Sequence, residues 1–349
     1  MYSLNQKILK KDYEQIALRR YPWEKFKNKT IMITGGSGFL AKYLINSIDY
    51  ISKVFDYDIK VLVTTRDINR TKTLYSNKNI DSSLLTFIQW DLTRSIEIDR
   101  EVNFVIHAAS AASPRIFKLD PTSAVIPNTV GIINLFSSLG SGSLENFLYL
   151  STSGVYGFIP DKERPNNEST FGSLDNTLPQ SVYLESKRMG ETITLVWGKK
   201  FSVPVTIVRP SICYGPGIDF DDGRSFADFI KALVMSEDII LESDGKVFRN
   251  FCYVTDVIAG IFLVLLKGID GEAYNLATEN EIRIRDLASK LVNEFFPEKN
   301  LKVVFSKKPS AVDRVQFTRT QVDCSKIKHL GWEETVSIAD GFKRTIASY

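Results

Sequence analysis

The sequence predicts an α/β fold, a doubly wound parallel sheet with a smaller C-terminal lobe beside it. Three observations predict it. Short apolar strands alternate with helical stretches from residue 29 onward, those strands are apolar on both faces, and a glycine-rich turn follows the first of them. A strand buried on both faces belongs in a mainly parallel sheet covered by helices on each side.

The elements follow in order. Residues 1–28 are charged, with helical spacing of Leu9, Tyr13 and Ile16, and are expected to form a peripheral N-terminal extension. Strands are expected at Thr30–Thr34, Ile59–Thr64, Leu84–Trp90, Val102–His107, Phe147–Ser151 and Val205–Val208. Helices are expected at Ala41–Phe55, Ala124–Leu139 and Val182–Lys200. Residues 29–205 would make the sheet domain, with the chain returning to it near 250–266 and to its sheet near Phe251–Val254. Residues 206–349 would make most of the second lobe. The run Val257–Leu266, flanked by Asp256 and Lys267, reads as a buried core helix. It falls short of the ~18 apolar residues that suggest a membrane span.

Composition narrows the function. Of 349 residues, 44 are Lys or Arg and 41 are Asp or Glu, a net charge of +3 that points to neither nucleic acid nor a membrane surface. The N-terminus lacks the apolar stretch of a signal peptide. Cys213, Cys252 and Cys324 show no CxxC spacing and read as reduced thiols of a cytoplasmic protein. The histidines are His107 and His329, neither in a metal-ligand spacing. His107 ends a strand and reads as a satisfied core residue, so acid-base chemistry falls to another side chain.

Ligands of such sheets bind beyond the carboxyl ends of the strands. After the first strand comes Thr34-Gly35-Gly36-Ser37-Gly38-Phe39-Leu40-Ala41. Glycines there permit a tight turn and close approach to a pyrophosphate, which then meets the amides and dipole of the next helix. The fold is therefore Rossmann-like and its ligand a dinucleotide. At the end of the second strand stand Thr64, Thr65, Arg66 and Asp67, with no carboxylate on the strand end itself. Thr65 and Arg66 favour the extra phosphate of NADP over NAD. The alternative is a solvated Arg66, with Asp67 reaching back to the ribose.

Tyr183 and Lys187 are four residues apart at a helix start, which places them on one face. An ammonium beside a phenol favours the phenolate, so such a tyrosine can exchange the proton of a carbinol. About 30 residues upstream, a strand ends in Ser151-Thr152-Ser153, and Thr152 can hydrogen-bond the reacting oxygen opposite Tyr183.

The segments TGGSGFLA, HAAS (His107–Ser110), STSGVYG, YLESK and VRPSICYGPG, in that order, resemble the extended short-chain dehydrogenase/reductase family. The likeness runs from about Lys29 to the C-terminus. It implies that Gly35, Gly36 and Gly38 meet the pyrophosphate, with Ser37, Phe39 and Leu40 in the same turn. It implies that Asp91 and Leu92 meet the adenine, that Ala108, Ala109 and Ser110 line the cofactor, and that Asn128 lies near the site. Thr152, Tyr183 and Lys187 would be catalytic, the last two also touching cofactor. Ser153, Arg224, Arg249 and Arg314 would bind substrate, Arg249 and Arg314 through the nucleotide diphosphate. Asp222-Gly223-Arg224 looks most like the UDP-glucuronate decarboxylase branch.

Two departures matter. Dehydratases of the family follow the catalytic Thr with an Asp-Glu pair, and decarboxylases usually keep the Glu; this chain has Ser153 and Gly154. Ile212 stands where the family often has Asn. The expected activity is hydride transfer on a nucleotide-linked sugar, by a keto-sugar reductase or 4-epimerase in surface-polysaccharide biosynthesis. A 4,6-dehydratase or decarboxylase, or a non-catalytic cofactor binder, is the alternative. The expected partners are a nucleotide-diphosphate sugar and a second copy of the chain as a homodimer, with no nucleic acid and no membrane.

Overall fold

The computed structural model describes residues 4–76, 80–140, 142–178, 181–306 and 318–349. Its strands are β1 (Thr30–Thr34), β2 (Lys60–Thr65), β3 (Leu85–Gln89), β4 (Phe104–His107), β5 (Asn146–Leu150), β6 (Val205–Pro210), β7 (Ile212–Tyr214), β8 (Ile239–Leu241), β9 (Phe248–Tyr253), β10 (Glu272–Leu276), β11 (Glu281–Arg283) and β12 (Val303–Phe305). The main sheet has the order β10-β6-β5-β4-β1-β2-β3, with every neighbour parallel. A three-stranded sheet, β11-β9-β7, and the pair β12-β8 belong to the C-terminal part.

Alternation along the strands builds both covers of the sheet. Ile31, Ile33, Val61, Val63 and Ile106 join one apolar cluster, while Met32, Leu62, Val105, Phe147 and Ile207 join the other. Successive strand side chains point to opposite faces, so each strand needs apolar residues at every position. The helices Phe39–Phe55 and Val254–Lys267 cover the first face. Val130–Leu139 and Ser181–Phe201 cover the second. Strand order reverses between β1 and β4, which opens the crevice at their carboxyl ends.

Three features differ from the reading of the sequence. The N-terminal segment is not peripheral: from the helix Gln6–Ala17 onward, Leu9, Ile16, Trp23 and Phe26 are core residues. Trp23 meets Phe262 and Phe26 meets Phe104, edge to face, at 5.6 and 5.4 Å. The expected helix Ala124–Leu139 is two helices, Val125–Asn128 and Val130–Leu139, divided at Thr129 (φ −129°, ψ −85°). Pro127, which has no amide to donate, lies in the first of them. The chain does return at Val254–Lys267, but as a helix. The seventh main-sheet strand is β10, whereas Phe251–Tyr253 lies in the small sheet. β10 reads EAYNL, too polar to stand out, and its buried Asn275 is satisfied by the Tyr156 hydroxyl and the Asn166 and Asp323 carbonyls. No helix among the described residues is long and apolar enough to cross a membrane.

Candidate active site

The glycine turn sits where the strand order reverses. Gly35 has φ +72°, and a Cβ there would lie 2.8 Å from the Ala109 Cα, so neither the backbone nor the space admits a side chain. A Cβ on Gly36 would run into the Val63 side chain. Gly38 is the N-cap of the helix Phe39–Phe55, and its amide donates to the Gly35 carbonyl at 2.9 Å. Ser37 is exposed on the turn; Phe39 and Leu40 are half-buried in the first helical turn.

His107 ties the crevice walls together. Burial, with the Lys187 charge adding to it, pushes its pKa down to about 3, so the imidazole is neutral. Its Nε2 donates to the Pro127 carbonyl at 2.9 Å, and its Nδ1 accepts from the Thr34 hydroxyl at 2.8 Å. The Thr34 hydroxyl in turn accepts the Ala109 amide at 3.0 Å. This is a satisfied core histidine that fixes Ala108–Ser110 against the glycine turn. The Ser110 hydroxyl oxygen is buried with no hydrogen-bond partner. A left-handed glycine, a backbone cradle without Cβ atoms, an open helix N-terminus and that hydroxyl fit a dinucleotide.

At the end of β2, the Thr65 hydroxyl is spent on Thr71 (2.7 Å) and on the Asp67 amide (3.2 Å). The Asp67 carboxylate accepts the Arg70 amide at 2.9 Å. Arg66 is exposed. After β3, the Asp91 carboxylate caps Thr93, and Leu92 is buried with φ +67°.

Two of the expected trio meet directly, and Lys187 stands one helical turn away. Tyr183 and Thr152 share a side-chain hydrogen bond. The Thr152 hydroxyl also accepts the Gly154 amide at 3.2 Å. Lys187, in the next helical turn, donates to the Leu150 carbonyl at 2.6 Å and lies 4.8 Å from the Tyr149 ring centroid. Burial pulls the Lys187 pKa down to about 7, against the opposing charge of Glu191. Burial also raises Tyr183, contrary to the phenolate expected from the sequence. The cation that draws the phenol back down is Arg224, and the Thr152 bond helps. Asn128, fully buried, donates to Ser186 at 3.0 Å, and Ser186 donates to the Tyr183 carbonyl at 2.8 Å. It thus braces the turn that carries Tyr183. Ser153, half-buried, opens the short helix after Thr152.

Arg224 reaches this site from the C-terminal part. It pairs with Asp222 at 2.7 Å and donates to the Ala112 carbonyl at 3.1 Å. Arg249 is placed elsewhere, on β9, where its neighbours in charge are Glu281 and Arg164. Arg314 lies outside the described residues.

Sequence reasoning missed three features. Leu184 fills the space beside Gly154, its Cδ2 standing 2.6 Å from where a Cβ would be. Glu191 and Arg209 form a buried pair one turn beyond Lys187. Arg164 is buried near Arg249. Only Glu191 could have been found locally, as the third member of the Tyr183–Lys187 face at spacing four.

A parallel sheet with this crevice, glycine turn and Thr-Tyr-Lys set defines an enzyme of the extended short-chain dehydrogenase/reductase class. Within it, the chain belongs to the NAD dependent epimerase/dehydratase family, whose profile matches residues 31–277. UDP-glucuronic acid decarboxylase 6 of Arabidopsis thaliana is 28% identical over 315 residues, 90% of this chain and 87% of that protein. The dTDP-D-glucose 4,6-dehydratase of Homo sapiens is 28% identical over 332 residues, 92% of this chain and 90% of that protein. Among solved structures, UDP-glucuronic acid 4-epimerase from Bacillus cereus, in complex with UDP-glucuronic acid and NAD, has a TM-score of 0.73 at 24% identity. The match covers 91% of this chain and 98% of that one.

Proposed function

We propose that the protein transfers hydride at one carbon of a nucleotide-linked sugar, as a keto-sugar reductase or a 4-epimerase. The observation that carries this reading is the space at Gly154. In the family it resembles, dehydratases follow the catalytic Thr with an Asp-Glu pair and decarboxylases usually keep the Glu, whereas here that place is Gly154 with Leu184 against it. What remains beside Thr152 is chemistry that needs a hydride and one proton.

A nicotinamide cofactor, when bound, supplies or takes the hydride. The glycine turn and the N-terminus of the helix Phe39–Phe55 hold its pyrophosphate, and Ala108–Ser110 line it. Thr152 hydrogen-bonds the reacting sugar oxygen, and Tyr183 gives that oxygen its proton or takes it away. Burial keeps the phenol protonated until the reacting oxygen demands its proton. Lys187 stands one helical turn behind, held on the Leu150 carbonyl. Arg249 and Arg314 meet the nucleotide diphosphate. NADP is favoured over NAD, because Asp67 is engaged as a helix cap and Arg66 stays exposed at the strand end. Ile126, Val130, Met189 and Val196, exposed on the paired helices of the second face, suit a second copy of the chain.

A second reading rests on Asp222. Its carboxyl is buried, raised by that burial, and paired with the arginine whose charge reaches Tyr183. It could replace the missing acid in a decarboxylase. Releasing the bound cofactor and identifying it by mass tests the first reading: tightly held NAD supports an epimerase, exchangeable NADPH a reductase. A protein that binds neither dinucleotide contradicts both readings.

A further inference from the structure

Tyr149 lies against the helix that carries Tyr183 and Lys187, for a reason that begins in β5. Side chains of that strand alternate, so Leu148 and Leu150 join the apolar cluster of the first face, while Phe147 and Tyr149 join that of the second. The helix Ser181–Phe201 covers the second face. Gly190, one turn beyond Lys187, lets helix and ring approach, since a Cβ there would run into the Tyr149 hydroxyl. The Tyr149 ring also stacks on His107, with centroids 5.7 Å apart and planes at 22°. Its hydroxyl is buried and has no hydrogen-bond partner among the described residues. The ring, not the hydroxyl, is what this position puts to use.

Lys187 is a buried charge, 3% exposed. Its ammonium has three protons to place. Among the described residues its one hydrogen bond goes to the Leu150 carbonyl, at 2.6 Å. Glu191 lies one turn further along the same helix, but its oxygens are engaged by Arg209 of β6 and by the Ser151 hydroxyl. The other titratable groups around Lys187 are Tyr183 on its own helix, Tyr149 on β5 and the neutral His107 on β4. The Lys187 Nζ stands over the Tyr149 ring, 4.8 Å from its centroid. An ammonium is drawn to the electron-rich face of an aromatic ring, most strongly where water is excluded. A buried cation that lacks such compensation tends to lose its proton. Burial raises the Tyr149 phenol well above its ordinary range, so the ring offers its face and no competing charge.

We propose that Tyr149 is a positioning residue for Lys187, the face of its ring holding the ammonium in place over β5 and favouring its charged form. This rests on the hydride-transfer reading, in which Lys187 belongs to the catalytic set, and deepens it. Tyr149 acts through Lys187 and needs no contact with sugar or cofactor. The position requires an aromatic face, and the hydroxyl is dispensable.

The test follows Lys187 itself, by NMR of the whole chain labelled with carbon-13 at the lysine ε-carbon, with Lys187→Arg to assign the resonance. Wild type, Tyr149→Phe and Tyr149→Leu are titrated with pH, and melting temperature reports folding. Tyr149→Phe should leave the Lys187 titration where it stands in the wild type. Tyr149→Leu should move it down by at least about half a pH unit, and the alkaline limb of turnover should move with it while KM changes little. If Tyr149→Leu does not fold, phenylalanines with one to three ring fluorines at position 149 keep the ring and drain its face. Each added fluorine should then lower the titration further. An unmoved titration in folded Tyr149→Leu, or across the fluorinated series, would overturn the proposal, whatever the melting temperature does. So would a Tyr149→Phe titration that falls as far as that of Tyr149→Leu, which would assign the effect to the hydroxyl. A wild type that moves no hydride on UDP-, dTDP-, GDP- or CDP-linked sugars or their 4-keto forms would overturn the hydride-transfer reading, and the NMR titration would still decide the ring contact on its own.

Discussion

Glu191 and Arg209 form a two-armed ion pair, Nε to Oε1 at 2.9 Å and Nη2 to Oε2 at 2.7 Å. Glu191 follows Lys187 by one helical turn, and its Oε1 also accepts the Ser151 hydroxyl at 2.6 Å. Arg209 continues to the Tyr156 hydroxyl at 3.0 Å. The pair thus links the end of β5, which carries Thr152, to the helix that carries Tyr183 and Lys187.

Glu191→Gln should lower the Lys187 pKa further, because the carboxylate is what opposes its fall to about 7. The charged ammonium is then lost at lower pH, so the alkaline limb of the kcat–pH profile should move to lower pH. Stability should fall by about 3 kcal/mol, since Arg209 would remain buried without its counter-charge. An unmoved limb in a folded variant would show that Glu191 serves packing alone.

Asp12 makes stability depend on pH. It is buried between the hydroxyls of Tyr43 and Tyr253, and burial raises its pKa from 3.8 to about 6, against the opposing pull of Arg344. The folded state therefore holds this proton more tightly than the unfolded chain. The resulting stabilisation is complete below about pH 4 and is lost as pH rises through about 6, a change on the order of 3 kcal/mol. In chemical denaturation at pH 4 to 7, Asp12→Asn should show a smaller decline than wild type. Equal declines would place the titration elsewhere.

The space at Gly154 gives a paired prediction. Gly154→Ala should destabilise by about 1–3 kcal/mol through overpacking against Leu184, and Leu184→Ala should relieve most of it. Additive losses in thermal denaturation would mean the two residues do not share this space.

Much of the fold and the trio was legible because their signals are local. Two-faced strands such as TIMIT show through apolarity at every position, and Tyr183 and Lys187 share a face at spacing four. The rest depends on distant partners. Asp12 reads as one more surface charge until Tyr43, Tyr253 and Arg344 converge on it. Arg209 lies 18 residues from Glu191, and nothing near either one announces the pair. The phenol's environment misled for the same reason: Arg224, the cation that moves Tyr183, comes from another part of the chain.

Cofactor choice turns on Arg66. Its neighbours Thr65 and Asp67 are engaged within the turn, so under the proposed NADP preference Arg66 is the group left to meet the ribose phosphate. Arg66→Ala should weaken NADPH binding at least about tenfold and leave NADH nearly unchanged. A wild type that prefers NADH, with an unaffected variant, would mark Arg66 as a solvated loop residue and favour an epimerase.

Under the proposed function, this site moves a hydride and a proton and breaks no bond to carbon or oxygen beyond them. The direct measurement is the mass of the product formed from UDP-, dTDP-, GDP- and CDP-linked sugars and their 4-keto forms, with Tyr183→Phe in parallel. The prediction is a product of unchanged mass, or one gained by two hydrogens. Tyr183→Phe should slow its formation by roughly 10²–10⁴-fold while dinucleotide binding stays intact. A product lighter by water or by carbon dioxide would contradict the account and turn attention to Asp222.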